Sequence, residues 1–277
     1  MPESVEQIND NDFLNQLNLK TAIIGQKIIF YPEIDSTNIQ AKAIANQGTA
    51  EGTVIIADYQ TQGQGRLKRK WISPPGKNLL FSIILSPPIS VEEAFSMTLL
   101  TSLAVCKSLI QLFVLNAKIK WPNDIYINQR KICGILTEAS TVQKKLNWIV
   151  IGVGLNVNVD FSGNQELKEI ATSIKMETGN IQNRKLIFCQ ILEEMDRLYQ
   201  SFLAGNFNLI KEEWLKYSLI LGKTVRVFSN NFEETGVAET IDETGALILL
   251  TPEGERKKII AGEVSLRIPE MESFLSE

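Results

Sequence analysis

Two short segments carry most of the groups that could do chemistry in this 277-residue chain. The first reads Gln60-Thr-Gln-Gly-Gln-Gly-Arg-Leu-Lys-Arg-Lys-Trp71. It holds Arg66, Lys68, Arg69 and Lys70, with Lys77 close behind, and no acidic residue occurs from Tyr59 to Ser90. Its glycines let backbone N–H groups approach an anion where no Cβ intervenes, and Arg66 can grip a phosphate or carboxylate at two points. On charge alone the same residues read equally well as a solvated loop. The second segment, Lys120-Trp-Pro-Asn-Asp124, puts a cation, a rigid turn, an amide and a carboxylate into five residues. A lysine closing an apolar strand needs an anionic partner if it is buried, and a substrate oxyanion would serve. A surface turn beside a strand is the plainer reading.

Two further segments supply polar or permissive positions. Ser36, Thr37 and Asn38 stand at an expected helix start, where they can cap the helix or bind a polar ligand. Gly152-Val-Gly154, followed by Asn156, interrupts an apolar strand. Glycine weakens a strand, so it marks the close approach of a ligand or of another backbone. The third glycine and following helix of a dinucleotide fingerprint are missing.

The chain contains no histidine. That removes Ser-His-Asp triads, imidazole acid–base chemistry and most zinc sites. What remains is lysine, arginine, carboxylates, amides, backbone dipoles or a magnesium ion carried in by substrate. Such groups suit phosphate chemistry, where positioning and charge neutralisation do most of the work. A formal net charge of −4 argues against non-specific nucleic-acid binding by the whole chain. Cys106, Cys133 and Cys189 are far apart and odd in number, so they read as small buried apolar residues in a reducing compartment. The polar, acidic stretch Met1 to Lys20 shows no secretory signal. No apolar segment is expected to reach the roughly 20 residues of a bilayer span, so a cytoplasmic protein is expected.

These groups need a scaffold, and the pattern supplies one. Strands are expected at 27–31, 53–58, 79–85, 118–121, 125–127, 132–138 and 147–157. Helices are expected from Thr37 to Gly48, after the capping box Ser90-Val-Glu-Glu93, and over about 184–204 and 207–217. From Thr224 onward short strands alternate with turns, and Gly236, Gly245 and Gly254 fall nine residues apart. That spacing fits a small barrel or sandwich.

Together these segments resemble the biotin–protein ligase family. Its GRGR-type loop ending in Arg-Lys-Trp appears as Gly63-Gln-Gly-Arg66-Leu-Lys-Arg-Lys-Trp71, and its Lys-Trp-Pro-Asn-Asp signature is intact at Lys120 to Asp124. Arg-Lys-x-x-Gly-Ile-Leu-x-Glu runs from Arg130 to Glu138, Ile-Gly-x-Gly-x-Asn from Ile151 to Asn156, and Ser-Thr-Asn stands at Ser36 to Asn38. The resemblance extends from about Ile29 to Ile268. Two positions depart from it: Gln64 replaces the first loop arginine, and Lys68 sits where a further glycine is common.

The resemblance implies an α+β fold, with a mixed β-sheet flanked by helices over residues 1–220 and a small SH3-like β-barrel over 221–277. It implies an ATP-dependent, AMP-forming ligase that makes biotinyl-5′-AMP and transfers biotin to a lysine of the biotin carboxyl carrier protein of acetyl-CoA carboxylase. Arg66 and Lys120 would be catalytic. Ser36, Thr37, Asn38, Gln60, Gln64, Gly65, Arg66 and Lys120 would bind biotin, with Gly134 and Gly152 on the pocket floor where a Cβ would collide. Arg69, Trp71, Asn123, Lys131 and Asn156 would face the nucleotide. Mg2+ would come with ATP, with no metal held by the protein itself. The basic loop is expected to lack fixed structure until ligand arrives, because like charges repel. Some members of the family carry a DNA-binding module, but Ser36 begins too early for one here, so neither DNA nor membrane is an expected partner. Monomer and homodimer both remain open. A lipoate ligase is the enzymatic alternative, disfavoured because it lacks Lys-Trp-Pro-Asn-Asp and commonly uses a histidine motif. A third possibility is an inert biotin-binding module.

Overall fold

The computed structural model describes residues 13, 17–229, 232–260 and 262–266. Seven strands form the larger sheet: β1 (Ile28–Ile34), β2 (Val54–Gln60), β3 (Leu79–Leu85), β4 (Ala117–Lys120), β5 (Asp124–Ile127), β6 (Arg130–Val142) and β7 (Lys145–Leu155). Their order is β1-β2-β3-β7-β6-β5-β4. β1 and β2 pair in parallel and the other neighbours are antiparallel, giving the expected mixed sheet. β3 lies inside the sheet between β2 and β7 and is buried at all seven positions, as its largely apolar Leu-Leu-Phe-Ser-Ile-Ile-Leu run demands.

Among the described residues the sheet is accompanied by the α-helices α1 (Thr37–Asn46), α2 (Ser96–Phe113), α3 (Ile174–Thr178), α4 (Arg184–Leu203) and α5 (Phe207–Tyr217). The capping box forms as expected: Ser90 N–H donates to Glu93 Oε2 at 2.9 Å and Glu93 N–H to Ser90 Oγ at 3.3 Å. One expectation fails at this point. The helical stretch Glu92–Phe113 spans 22 residues with a mean hydropathy of 1.4, long and apolar enough to cross a bilayer. Much of its surface is covered instead by protein, 72% of the apolar window being buried. Lys107, within that run, is paired with Glu194 of α4 at 2.9 Å and Glu213 of α5 at 2.5 Å, so its charge ties three helices together.

The C-terminal sheet comprises β8 (Thr224–Ser229), β9 (Phe232–Ile241), β10 (Leu247–Leu250), β11 (Arg256–Ile259) and β12 (Glu263–Leu266). All its pairings are antiparallel, in the order β11-β10-β9-β8-β12, and among the described residues no ladder joins β11 to β12. It docks on the larger unit through Trp121, fully buried, whose Nε1–H donates to Gly245 O at 3.1 Å. Gly245 has φ +86, and a Cβ there would lie 2.7 Å from Leu99 and 2.8 Å from Phe95. Only glycine satisfies both the turn and the contact.

Candidate active site

The strand ends β2, β5, β6 and β7, the N-terminus of α1, the basic loop and β12 enclose a cavity of about 520 Å³. Every candidate residue except Asn156 lines it, so segments far apart in sequence meet on one surface.

One end is neutral and buried. Thr37 and Asn38 are 4% and 6% exposed. Ser36 occupies the N-cap of α1 in extended backbone, yet its side chain makes no capping bond. The first helical N–H, that of Thr37, instead donates to Gln60 Oε1 at 2.7 Å. Ser82 Oγ on β3 lies 2.8 Å from Thr37 Oγ1 and 2.6 Å from Asn38 Oδ1, and Asn38 Nδ2 donates to Glu138 Oε2 at 2.9 Å. Gly152 lines the cavity as expected, but the collision a Cβ would make is with Asn38 Oδ1 at 2.0 Å. The glycine therefore makes room for a protein side chain that itself lines the site.

The other end is cationic. Arg66 Nη1 donates to Asn123 Oδ1 at 3.3 Å and to Gly262 O at 3.1 Å, so the C-terminal sheet holds its guanidinium. Lys120 Nζ sits 5.0 Å from the centre of the Tyr126 ring. Burial lowers the pKa of both Arg66 and Lys120, while the Asp124 carboxylate opposes the shift in each. Lys131 pairs with Asp124 at 2.6 Å and lies 5.6 Å over the Trp71 ring. An anion arriving here finds cations that are already partly desolvated, so their pull on it is stronger than it would be in water.

The basic loop is closed on itself, against the expectation of no fixed structure. Gly65 N–H donates to Arg69 O at 2.8 Å and Trp71 N–H to Gly63 O at 2.9 Å. Arg69 forms an ion pair with Glu263 at 2.8 Å, which offsets part of the like-charge repulsion on which that expectation rested. Lys68, standing where a glycine is common in the resembling family, has φ +59, and Leu67 has φ +53. Side chains disfavour this region by about 1 kcal/mol or more each, so the turn is held by its contacts and not by local preference. Trp71 lies across the sheet, where a Cβ on Gly154 would come within 2.7 Å of its ring and one on Gly134 within 3.1 Å. Its indole N–H is buried without a partner among the described residues.

Asn156 lies outside the cavity. It is 3% exposed, its Nδ2 donates to Thr172 O at 3.1 Å, and its Oδ1 accepts from Asn78 Nδ2 at 3.3 Å. Its amide is occupied in joining the end of β7 to the following segment and to the base of the basic loop. Sequence reading also missed the contribution of Phe228, Glu263, Val264 and Ser265, which line the cavity from the C-terminal sheet. Tyr126 and Ser82 were missed too, the latter hidden in an apolar strand. Burial pushes the Cys106 thiol up to about 12 and raises that of Cys133 as well, so neither is a nucleophile.

The chain matches the Biotin/lipoate A/B protein ligase family over residues 30–156 and the Biotin protein ligase C terminal domain over 220–267. It is 37% identical over 254 residues to the bifunctional ligase/repressor BirA of Bacillus subtilis, covering 91% of this chain and 77% of that protein. It is 30% identical over 234 residues to the biotin–[acetyl-CoA-carboxylase] ligase of Paracoccus denitrificans, covering 83% and 96%. Its fold superposes with a TM-score of 0.75 on the biotin protein ligase from Aquifex aeolicus in complex with biotin and ATP, at 32% identity over 87% of this chain and 99% of that one. With both sheets, the shared cavity and matches across nearly the whole length in agreement, the chain belongs to the biotin protein ligase family.

Proposed function

We propose that this protein activates biotin with ATP and transfers it to a lysine of the biotin carboxyl carrier protein of acetyl-CoA carboxylase. The observation that supports this best is that Arg66 and Lys120 line the same cavity as the neutral cluster around Thr37. One end can hold the uncharged ring of biotin while the other receives its carboxylate and a nucleotide phosphate.

In the first step a biotin carboxylate oxygen attacks the α-phosphorus of ATP. The bond to the β-phosphate oxygen breaks, pyrophosphate leaves, and a mixed anhydride forms. Two anions must meet, and the barrier falls when Arg66 and Lys120 neutralise the carboxylate and the α-phosphate. Gln64 and Gly65 close over the carboxyl end. Trp71, Arg69, Asn123 and Lys131 serve the nucleotide side. In the second step the lysine amine of the acceptor attacks the biotin carbonyl, AMP leaves with the electron pair of the broken bond, and the nitrogen loses a proton. No enzyme nucleophile enters either step.

Magnesium fits as a passenger on the phosphates. Among the described residues no group of three His, Cys, Asp or Glu could hold a metal. The two carboxylates of the cavity are already paired, Asp124 with Lys131 and Glu263 with Arg69. When bound with ATP, the ion would offset charge on the departing pyrophosphate.

The test is to incubate the protein with labelled biotin, magnesium-ATP and a carrier domain. We expect AMP release and label on one carrier lysine. Label transfer from lipoate but not biotin, or biotin binding without pyrophosphate exchange, would overturn the reading.

A further inference from the structure

The larger sheet splits where the basic loop begins. β2 and β3 pair only as far as Ala57 opposite Leu80. Beyond that pair β2 stays with β1, up to Ile34 opposite Gln60, while β3 stays with β7, from Leu79 opposite Leu155. The loop therefore leaves one part of the sheet after Gln60 and returns to another before Leu79. Its two feet, 58–60 and 76–78, stand on strands that no longer hold each other.

Arg184 bridges the gap. It is 8% exposed, and its Nη1 lies 2.7 Å from Asp58 Oδ1 on the outgoing foot and donates to Asn78 O on the returning one at 3.0 Å. A further bond across the gap, Gly76 N–H to Asp58 O, is long at 3.4 Å. The returning foot is anchored in turn to the segment after β7: Val157 N–H donates to Asn78 Oδ1 at 3.0 Å and Asn158 N–H to Lys77 O at 2.7 Å. Arg184 is the first residue of α4, whose first turn holds no acidic residue. A cation there opposes the helix dipole, so helix formation does not explain it. Without it the Asp58 carboxylate would face the Asn78 carbonyl, two acceptors with no donor between them, and the feet would be pushed apart.

We infer that Arg184 is a positioning residue that clamps the feet of the basic loop across the split in the sheet and so sets where Arg66 and Trp71 stand over the cavity. The inference rests on the biotin reading above and deepens it, by adding a residue on which the reaction depends more than a hundred positions from the loop. Arg184 does not line the cavity, whereas Arg66 and Trp71 do, so its effect on either substrate passes through the loop.

The test has two readouts. Trypsin cuts after lysine and arginine, and the loop offers it Arg66, Lys68, Arg69 and Lys70. In the ligand-free Arg184→Met protein, cleavage within the loop should be about tenfold faster than in the unaltered protein, with cleavage elsewhere unchanged. In biotin-dependent ATP–pyrophosphate exchange, kcat/KM should fall about tenfold for biotin and for ATP alike, since the loop meets both. The same change made in Arg66→Ala should cost no more than about threefold, because the clamp acts largely through Arg66. Arg184→Met combined with Asp58→Asn leaves neither charge buried without its partner. It should behave as the single variant does, and it decides the matter if the single variant fails to fold. An unchanged cleavage rate in a folded variant overturns the inference. So does a loss of exchange that simply multiplies with that of Arg66→Ala, which would mean a packing role alone. Absence of biotin-dependent exchange by the unaltered enzyme overturns the biotin reading, while the cleavage rate still decides the clamp.

Discussion

At one end of the cavity Thr37, Asn38 and Ser82 are each less than a tenth exposed and spend their polar atoms on one another. At the other, Arg66 is held by an amide and a backbone carbonyl, Lys131 by Asp124, and Arg69, 69% exposed, by Glu263 of the other sheet. The neutral end is assembled from α1 and neighbouring strands of one sheet, and it is complete before a ligand arrives. The cationic end is assembled from a loop and two sheets, and its charges rest on carboxylates and carbonyls that a substrate anion can replace. On the proposed function, the difference follows from what each end would bind. An uncharged ring is recognised by fixed donors and acceptors, which demand rigidity. Phosphates are bound by charge, which tolerates movement and rewards it by excluding water on closure.

Substitution can break that contrast at its rigid end. Gly152→Ala places a Cβ 2.0 Å from Asn38 Oδ1, and Asn38 is pinned by Glu138 and Ser82. Overpacking of this kind costs about 1–3 kcal/mol, so we expect biotin KM to rise ~10–100-fold with ATP binding little changed. Steady-state kinetics with each substrate varied in turn will show it.

The cationic end should be distinguishable by pH. Burial lowers the Lys120 pKa, so Lys120 loses its charge at a lower pH than the usual value of about 10.4. Exchange activity should fall on the alkaline side below that value, and Lys120→Arg should move the fall upward. The stability effect has the opposite sign. The folded protein binds fewer protons than the unfolded chain between the lowered pKa and about 10.4, so this group's contribution to stability rises with pH across that interval. A pH–rate profile alongside denaturant melts separates the two. The smallest effect is expected at Glu263→Gln, which removes an ion pair to an exposed arginine. Stability should change by less than about 1 kcal/mol and exchange by no more than about twofold, as read by urea titration and the same assay.

Much of this was legible in the sequence because it is local. The capping box before α2, the largely apolar run of β3 and the Lys120 to Asp124 turn each declare themselves within a few residues. What escaped depends on contacts across the fold. Asn156 stood in a ligand-like motif, but its amide faces Asn78 and Thr172, which no spacing reveals. Gly152 was read correctly as a place where a Cβ collides, while the object of the collision, Asn38, lies more than a hundred residues away. Glu263 and its neighbours enter the cavity only because the second sheet docks through Trp121 and Gly245. Ser82 looked like one polar residue in a buried strand until its partners were known. The apolar stretch of α2 was read as too short for a span, and the acidic partners that hold Lys107 within it sit on other helices.

The central claim is that Arg66 and Lys120 act on the same pair of meeting anions, and a double-mutant cycle in biotin-dependent ATP–pyrophosphate exchange tests it most directly. Arg66→Ala and Lys120→Ala should each lower the rate about 100-fold or more with the fold retained, and the double variant should lose clearly less than the product of the two. A near-normal rate in either single variant, or losses that simply multiply, would show that the two cations serve separate ends.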